Sequence, residues 1–511
     1  MGNVLDAEIS RAKKLPHVDL SNHNLAQLPA KIKKLQLCES LDLSGNQLAD
    51  LLPVISQLPS LTSLNLSKNV FTSFPLDVCD VLALQSLDIS RNRLFFTPIT
   101  PNIAKLVNLV YLDLSFNQLE EIPKELGDLH NLMHINLSNN ELQAIPDVIF
   151  LLEKLETLDV ADNKIKAVQT DIARLHQLRI LRLNNNLLST TPDALGDLVH
   201  LLELGLGFNR LRSLSPALGK LSTLQILDIQ ENKDLAKWPA ELANLRHLVS
   251  LNMRNTRLDE LPYYLEQWSE LRELNVKENT QIESLPEAMG ALQQLEKLEA
   301  SGCSIRMIPE GLGYVKSLLL ADFHANQLFA SSFPASVTGW KLLTKLLLSE
   351  NHLEVLPLEL CELSALTELD LATNMLKQLP DEIGKLKYLE KLSLNHNKIS
   401  ALPNTIGNLV RLTSLECRHN LLTTLPASVG DFQNLSKLDI SHNSISVLPP
   451  ELCLLTDLIV FEIADNPFQN PPINIAFGGR AGLMAYLEEE MDKKVGDREW
   501  RKYRRNKEVR G

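Results

Sequence analysis

One short pattern recurs twenty times along this chain of 511 residues, usually with a period of 23 residues. In the copy at residues 109–123, Leu112 and Leu114 alternate with other residues, Asn117 follows, and Pro123 ends the copy. Successive side chains of a strand point to opposite faces, so the alternation predicts a short strand with one apolar side. A unit this small cannot bury that side alone, so we predict that the copies stack on one another.

The turn position of the pattern is Asn in seventeen of the twenty copies. In order, the turn residues are His23, Asn46, Asn69, Asn92, Asn117, Asn140, Asn163, Asn186, Asn209, Asn232, Thr256, Asn279, Cys303, Asn326, Asn351, Asn374, Asn397, Asn420, Asn443 and Asn466. A side-chain amide both donates and accepts hydrogen bonds, so stacked Asn residues can pair buried backbone groups of the turns. Thr256 and Cys303 can do this only in part, so we expect local irregularity in repeats 10–13.

These observations predict an α/β solenoid, a horseshoe of about 20 repeats with a parallel sheet on its concave side and helical caps at its ends. We divide the chain into an N-terminal capping helix (1–14), the solenoid (15–472), a C-terminal capping helix (473–495) and a basic, flexible tail (496–511). The apolar stripe of Leu483, Met484, Leu487 and Met491 predicts the second cap.

Composition narrows the class of protein. The net charge of −13 argues against a nucleic-acid partner, and no apolar run is long enough to span a membrane. The six cysteines form no C-x-x-C pair and fit buried positions in a reducing compartment, so we expect a cytoplasmic protein. Gly2 can begin a myristoylation signal, but Asp6 stands where that signal prefers Ser or Thr.

The repeat at residues 366–385, which reads LTELDLATNMLKQLPDEIGK, resembles that of intracellular leucine-rich-repeat proteins of the Ras-group type. This family includes animal Ras–Raf scaffold proteins, plant intracellular Ras-group-related proteins and the repeat domains of Scribble-like polarity proteins. The resemblance implies a protein-binding scaffold whose partner is a Ras-family GTPase or a protein phosphatase. One departure is that the first repeat begins at Leu15, which leaves no room for the long N-terminal tail with which animal scaffolds hold a phosphatase.

We place the partner-binding site on the concave face, where the outward residues depart from the small and acidic side chains found elsewhere. Twelve of the twenty middle outward positions are carboxylates, which favours a partner with basic or polar groups. Exposed rings and arginines with an acidic surround are typical of an interface centre. The predicted contact residues are Tyr111, Phe116, Met133, Arg179, Arg182, Phe208, Asp228, Arg254 and Lys277. The alternative is that these are scattered exposed residues without a function.

Other chemistry has less support in the sequence. His396, His419 and His442 recur every 23 residues, so they are either a zinc site or polar surface residues. The chain has no Gly-rich phosphate loop and no nucleophile–base motif, so we expect neither enzymatic activity nor a cofactor. We predict a monomeric scaffold or adaptor in signal transduction. The alternative is a peripheral membrane or cell-polarity organiser that uses an N-terminal lipid or the basic tail.

Overall fold

The computed structural model describes residues 9–95 and 99–495, which form two compact units divided between Arg257 and Leu258. Both units are built from the same element, a three-residue strand followed by a turn and a short 3-10 helix. The 3-10 helices occupy the second half of the repeats. The predicted α/β solenoid is therefore confirmed.

The first unit contains eleven parallel strands, β1 to β11. Each strand residue pairs with its equivalent in the next repeat, as Tyr111 of β5 does with His134 of β6. The strands are β1 His17–Asp19, β2 Ser40–Asp42, β3 Ser63–Asn65, β4 Ser86–Asp88, β5 Tyr111–Asp113, β6 His134–Asn136, β7 Thr157–Asp159, β8 Ile180–Arg182, β9 Glu203–Gly205, β10 Ile226–Asp228 and β11 Ser250–Asn252. The 3-10 helices are η1 Ala30–Lys34, η2 Pro53–Gln57, η3 Leu76–Asp80, η4 Pro101–Lys105, η5 Lys124–Asp128, η6 Asp147–Leu151, η7 Thr170–Arg174, η8 Asp193–Asp197, η9 Pro216–Lys220 and η10 Ala240–Asn244.

The second unit contains nine parallel strands, β12 to β20. They are β12 Glu273–Asn275, β13 Lys297–Glu299, β14 Leu320–Asp322, β15 Lys345–Leu347, β16 Glu368–Asp370, β17 Lys391–Ser393, β18 Ser414–Glu416, β19 Lys437–Asp439 and β20 Val460–Glu462. The 3-10 helices are η11 Leu265–Gln267, η12 Glu287–Ala291, η13 Gly311–Tyr314, η14 Ala330–Ser332, η15 Ala335–Gly339, η16 Leu358–Glu362, η17 Asp381–Lys385, η18 Asn404–Asn408, η19 Ala427–Asp431 and η20 Pro450–Leu454.

The irregularity expected near Cys303 is visible in this unit. Most of the 3-10 helices have five residues, whereas η11 and η14 have three and η13 has four. The Cys303 thiol lies 3.2 Å from the carbonyl oxygen of Val276, in the place where other repeats use an amide. A thiol is a weak donor, so this turn is held by fewer strong hydrogen bonds.

Helices lie at both ends of the described chain. Residues 9–12 are helical and are called α1, and Ile9 and Ala12 are buried there. At the other end are α2 Ile473–Ala476 and α3 Arg480–Val495. Helix α3 buries Leu483, Leu487 and Met491 of the predicted stripe, whereas Met484 is partly exposed. It is also tied down by Lys494 Nζ, which lies 2.6 Å from Glu451 Oε1. Residues 1–8 of the predicted N-terminal cap, which include Gly2, and the tail at 496–511 lie outside the described residues.

The turn asparagines hold consecutive repeats together. The Asn163 side chain is 8% exposed, and its Nδ2 donates to the carbonyl oxygens of Leu137, Val160 and Ala161 at 3.0 to 3.1 Å. Its Oδ1 accepts a hydrogen bond from the Leu142 amide nitrogen at 3.0 Å. Leu137 and Leu142 belong to the preceding repeat, so one amide satisfies buried backbone groups of two repeats. These hydrogen bonds confirm the predicted role of the turn asparagines, which is to pair buried backbone groups of the turns.

Replacing Asn163 with Ala should lower the free energy of unfolding by about 3 kcal/mol, because buried carbonyl and amide groups lose their partners. Urea unfolding followed by circular dichroism measures the change. The matched control is Asn244→Ala, which removes an exposed amide at the end of η10. Equal midpoints for the two variants would contradict the role given to Asn163.

Candidate functional site

Each repeat presents four outward side chains on the strand side of the stack, which we call the sheet face. In repeat 5 they are Tyr111, Asp113, Ser115 and Phe116, and the buried leucines lie between them. The residues at equivalent positions of successive repeats form four columns, numbered one to four in chain order. Neighbouring members of a column are about 4.8 Å apart, the spacing of paired strands.

The fourth column has left-handed backbone geometry. Phe116 has a φ of 52° and Phe208 a φ of 55°, a region in which bulky side chains are uncommon. Asn, Asp and Gly tolerate this geometry and occupy the position in some repeats, whereas Lys, Arg, Glu or His occupies it in others. Both rings are nevertheless exposed, Phe116 to 41% and Phe208 to 45%. The fold therefore gains little from these two rings and holds them against the preference of the backbone.

The predicted residues of repeats 5 and 6 have two neighbours that were not predicted, Arg91 and His134. The Arg91 guanidinium lies over the Phe116 ring at 3.8 Å from its centroid. The ring of Tyr111 is 6.5 Å from that of His134, and Met133 is half-buried just before β6. Burial, aided by nearby carboxylates, raises the pKa of Tyr111 to about 12. Its hydroxyl therefore stays protonated and donates to Asp113 Oδ2 at 3.2 Å.

The predicted arginines are already paired with carboxylates of adjacent repeats. Arg182 Nε donates to Glu203 Oε1 at 2.7 Å, and Nη1 lies 3.6 Å from Asp159 Oδ2. The hydrogen bond to Glu203 raises the pKa of Arg182 further, so the guanidinium is a fixed part of the face. Arg179 lies 3.7 Å from Glu156. A cation that is paired on both sides, as Arg182 is, offers little net charge to an acidic partner.

Two further predicted residues, Arg254 and Asp228, also have polar partners. Arg254 lies 3.9 Å from Glu231. Asp228 Oδ2 accepts hydrogen bonds from Asn184 Nδ2 at 2.7 Å and from Gln230 Nε2 at 3.2 Å. Asn184 was not predicted as a site residue, and its amide fills the space over Gly205 and Gly207 of the next repeat.

Lys277 belongs to the second unit and is described with that unit. Its Nζ lies 2.7 Å from Glu299 Oε1 and 2.9 Å from Asp322 Oδ2. Lys297 also contacts Glu299, at 2.6 Å. Alternating charges on β12 to β14 therefore neutralise one another locally, and Lys277 is part of this network.

The three histidines of the second unit form a stack of rings. The centroids of His396 and His419 are 4.4 Å apart, and those of His419 and His442 are 4.1 Å apart. His442 Nδ1 also lies 3.1 Å from Asp465 Oδ2. Within residues 9–95 and 99–495, no group of three or more His, Cys, Asp or Glu side chains is placed to hold a metal ion. Stacking sets the rings face to face at equal steps, whereas a zinc site needs nitrogens that converge.

The cysteines provide no reactive centre in the described structure. Five of the six are buried free thiols, while Cys453 is partly exposed. Burial raises the pKa of Cys38, Cys79 and Cys303 to about 11, and that of Cys361 to about 12. These thiols are therefore protonated at neutral pH and act as small apolar side chains. Across the part of the chain that the structure describes, no helix has the length and apolarity needed to cross a bilayer.

Comparison with known families identifies the repeat. The sequence model of the leucine-rich repeat matches residues 39–94, 107–165, 153–211, 341–399 and 364–422, and a second model of the same repeat matches 434–455. Together the matches cover about half of the chain. A search of curated protein sequences found no match.

Solved structures with the same architecture come from bacteria and plants. A leucine-rich-repeat protein of Leptospira interrogans is 27% identical, with a TM-score of 0.59 over 89% of this chain and 98% of that chain. The Arabidopsis receptor kinase HAESA, solved with the peptide hormone IDA and the co-receptor SERK1, is 27% identical, with a TM-score of 0.67 over 88% of this chain and 78% of that chain.

Replacing Phe208 with Asn should raise the free energy of unfolding by about 1 kcal/mol, because Asn adopts left-handed geometry with less strain. Urea unfolding midpoints give the change. Ile226→Asn is the control, since it makes an exposed residue polar at an ordinary strand position. A loss of stability in Phe208→Asn as large as that in the control would show that the ring supports the fold.

The histidine stack should make stability depend on pH. Burial and the neighbouring histidines lower the pKa of His419, so its folded-state pKa lies below the unfolded value. Its contribution is therefore present above the unfolded pKa and is lost as the pH falls through the folded pKa. His419→Asn should flatten the fall in thermal midpoint between about pH 7 and about pH 5. His130→Asn, at an exposed site in the first unit, should leave the slope unchanged.

Proposed function

The chain belongs to the leucine-rich-repeat family, and on this premise we propose that it is a non-enzymatic adaptor that binds a protein partner on the sheet face of its first unit. The observation that carries the proposal is the pair of exposed rings at left-handed positions, Phe116 and Phe208. Large side chains held against the preference of the backbone point to a role outside the fold. Aromatic anchors within a polar surround are what interface centres use.

The spacing of the rings suits a protein-sized surface. Phe116 and Phe208 are four repeats apart, so about 19 Å separates them along the sheet. Between them the fourth column is polar, and Asn139 and Asn185 both donate to Asp162, at 3.5 and 2.5 Å. A partner that covers both rings spans five repeats, which is a large enough contact for specific recognition.

By its resemblance to Ras-group repeat proteins, we propose that the partner is a Ras-like GTPase or the catalytic subunit of a protein phosphatase, and that the adaptor acts in intracellular signalling. Five buried free cysteines support a cytoplasmic location, since reducing compartments keep thiols free. HAESA, which was solved with a peptide hormone, supports a second candidate partner, an extended peptide. A role as a peripheral membrane or cell-polarity organiser is the alternative. It would depend on Gly2 or the basic tail.

Replacing both rings, as Phe116→Asn with Phe208→Asn, should weaken partner binding about 30-fold, because two anchors are lost while the fold is kept. The measurement is affinity capture by the full chain, followed by titration of purified Ras-like GTPases in their GTP- and GDP-loaded forms. Tyr388→Ala is the matched control, because this exposed ring lies in the second unit, 4.5 Å beneath the Arg411 guanidinium. If the double variant retains the same partners with unchanged affinity, the proposed site is wrong.

A further inference from the structure

The last strand of the second unit, β20, has an open edge. It pairs with β19 on one side, where the Ile440 amide nitrogen donates to the Glu462 carbonyl oxygen at 2.8 Å. The equivalent of Ile440 in the last repeat is Ile463, and its amide nitrogen has no hydrogen-bond acceptor among the described residues. The carbonyl oxygen of Ile459 likewise accepts no hydrogen bond within residues 9–95 and 99–495. Both a donor and an acceptor of the backbone are therefore left unpaired along this edge.

The side chains along this edge are apolar. Ile459 is 76% exposed and Val460 is 38% exposed. Phe461 takes the place of a buried leucine of the inner strands, yet it is partly exposed. In the five preceding repeats the residues equivalent to Ile459 and Val460 are polar: Thr344 and Lys345, Thr367 and Glu368, Glu390 and Lys391, Thr413 and Ser414, and Ser436 and Lys437. The change to apolar residues thus falls on the strand whose outer edge is unpaired.

The first strand of the chain, β1, shows the opposite pattern. Pro16 precedes it, its outward residues are His17 and Asp19, and its inward residue Val18 is 5% exposed. Proline and polar or charged side chains are the usual means by which proteins keep an open strand edge from pairing with another chain. The first residues of β20 carry none of this protection. We therefore regard β20 as an edge that is available for pairing.

Negative charge beside this edge lacks a counter-charge. Strand pairing places Glu462 opposite Asp439 of β19. Within the described part of the chain, neither carboxylate forms an ion pair. The outward cation of β19, Lys437, is bound to Glu416 of β18, with its Nζ 2.5 Å from Oε1. Like charges on opposite strand positions are unfavourable, so a cation placed beyond Glu462 would be stabilised there.

The C-terminal cap limits what can be added to β20. Helix α3 covers the 3-10 side of the last repeat, where Met491 packs with Leu454 and Lys494 Nζ lies 2.6 Å from Glu451 Oε1. A complete repeat from a second copy of the chain would need that side as well as the strand edge. The space that remains open beside β20 therefore suits one extended segment.

We propose that the open edge of β20 binds an extended segment of a partner protein, which adds to the sheet as one more strand. Its backbone pairs with the free amide and carbonyl groups of β20, and these bonds supply affinity. Residues two positions apart on a strand lie on the same face. The segment therefore carries an apolar residue beside Val460 and, two positions away, an arginine or lysine beside Glu462.

This edge is a second binding site and goes beyond the proposed function. It belongs to the second unit, whereas the site around Phe116 and Phe208 belongs to the first. It also recognises its ligand differently, through backbone pairing and a short apolar-and-basic pattern and not through aromatic anchors. The two sites can therefore be tested separately.

The test uses the full chain labelled at isoleucine δ1 methyl groups and the peptide acetyl-Thr-Val-Leu-Arg-Leu-Ser-amide. The peptide should shift the methyl signals of Ile459 and Ile463 saturably and leave that of Ile473 in place. A peptide with Glu in place of Arg should bind about tenfold more weakly, because it sets like charges side by side. A peptide with N-methyl groups on residues two to four should not bind, because it has lost the donors for strand pairing.

Three variants of the protein separate this edge from exposed apolar surface in general. Val460→Lys restores the type of residue found at this position in β19 and should weaken binding about tenfold. Glu462→Lys should reverse the preference, so that the Glu peptide binds more tightly than the Arg peptide. Ile473→Lys is the matched control, because Ile473 of α2 is 60% exposed, and it should leave binding unchanged. Thermal midpoints of all variants confirm folding.

Several results would overturn the proposal. They are the absence of a saturable shift at Ile459 and Ile463, equal binding of the N-methylated peptide, and equal losses in Val460→Lys and Ile473→Lys. Sedimentation equilibrium provides a further check: a dimer that becomes monomeric in Val460→Lys would show that a second copy, and not a partner segment, fills the edge. None of these results bears on the double phenylalanine variant, which reports on the first unit.

Discussion

A buried side-chain amide in nearly every repeat is the interaction on which this stack depends. Asn163 shows the arrangement: it pairs backbone groups of its own repeat and of the preceding one, so neither turn is complete without its neighbour. The requirement fixes the period of the chain, because each amide must reach groups about one repeat away. In such a stack the interior positions are occupied mostly by leucine, whereas the outward columns are free to vary.

Because the interior side chains are needed for packing, a partner can be recognised only by the outward columns. Neighbouring members of a column are close in space but one repeat apart in sequence. The same geometry explains why charged residues there pair across repeats, as Arg182 does with Asp159 and Glu203. The groups that remain available to a partner are the outward side chains that do not pair with one another across repeats. In the first unit the exposed ring of Phe208 is such a group.

The sequence predicted most of the fold, because period, strand alternation and the turn amide all depend on local spacing. It also placed Tyr111, Phe116 and Asp228 correctly on the outward side of the strands. It could not show that Arg182 and Lys277 are neutralised, because that depends on side-chain directions in adjacent repeats. For the same reason it left open whether the histidines converge or stack. The left-handed backbone under Phe116 is likewise a three-dimensional fact that a consensus pattern does not reveal.

The hydrogen bond between Asn184 and Asp228 joins residues 44 positions apart, whereas most side-chain bonds of the first unit join adjacent repeats. In a linear stack with neighbour contacts alone, each repeat can open without disturbing the next but one. A bond that passes over repeat 9 removes that independence, so repeats 8 to 10 should open as a single cooperative block. Because Gly205 and Gly207 carry no side chains, Asn184 can reach Asp228 across repeat 9. Repeats 8 to 10 should therefore behave as one locally stiffened segment within an otherwise modular chain.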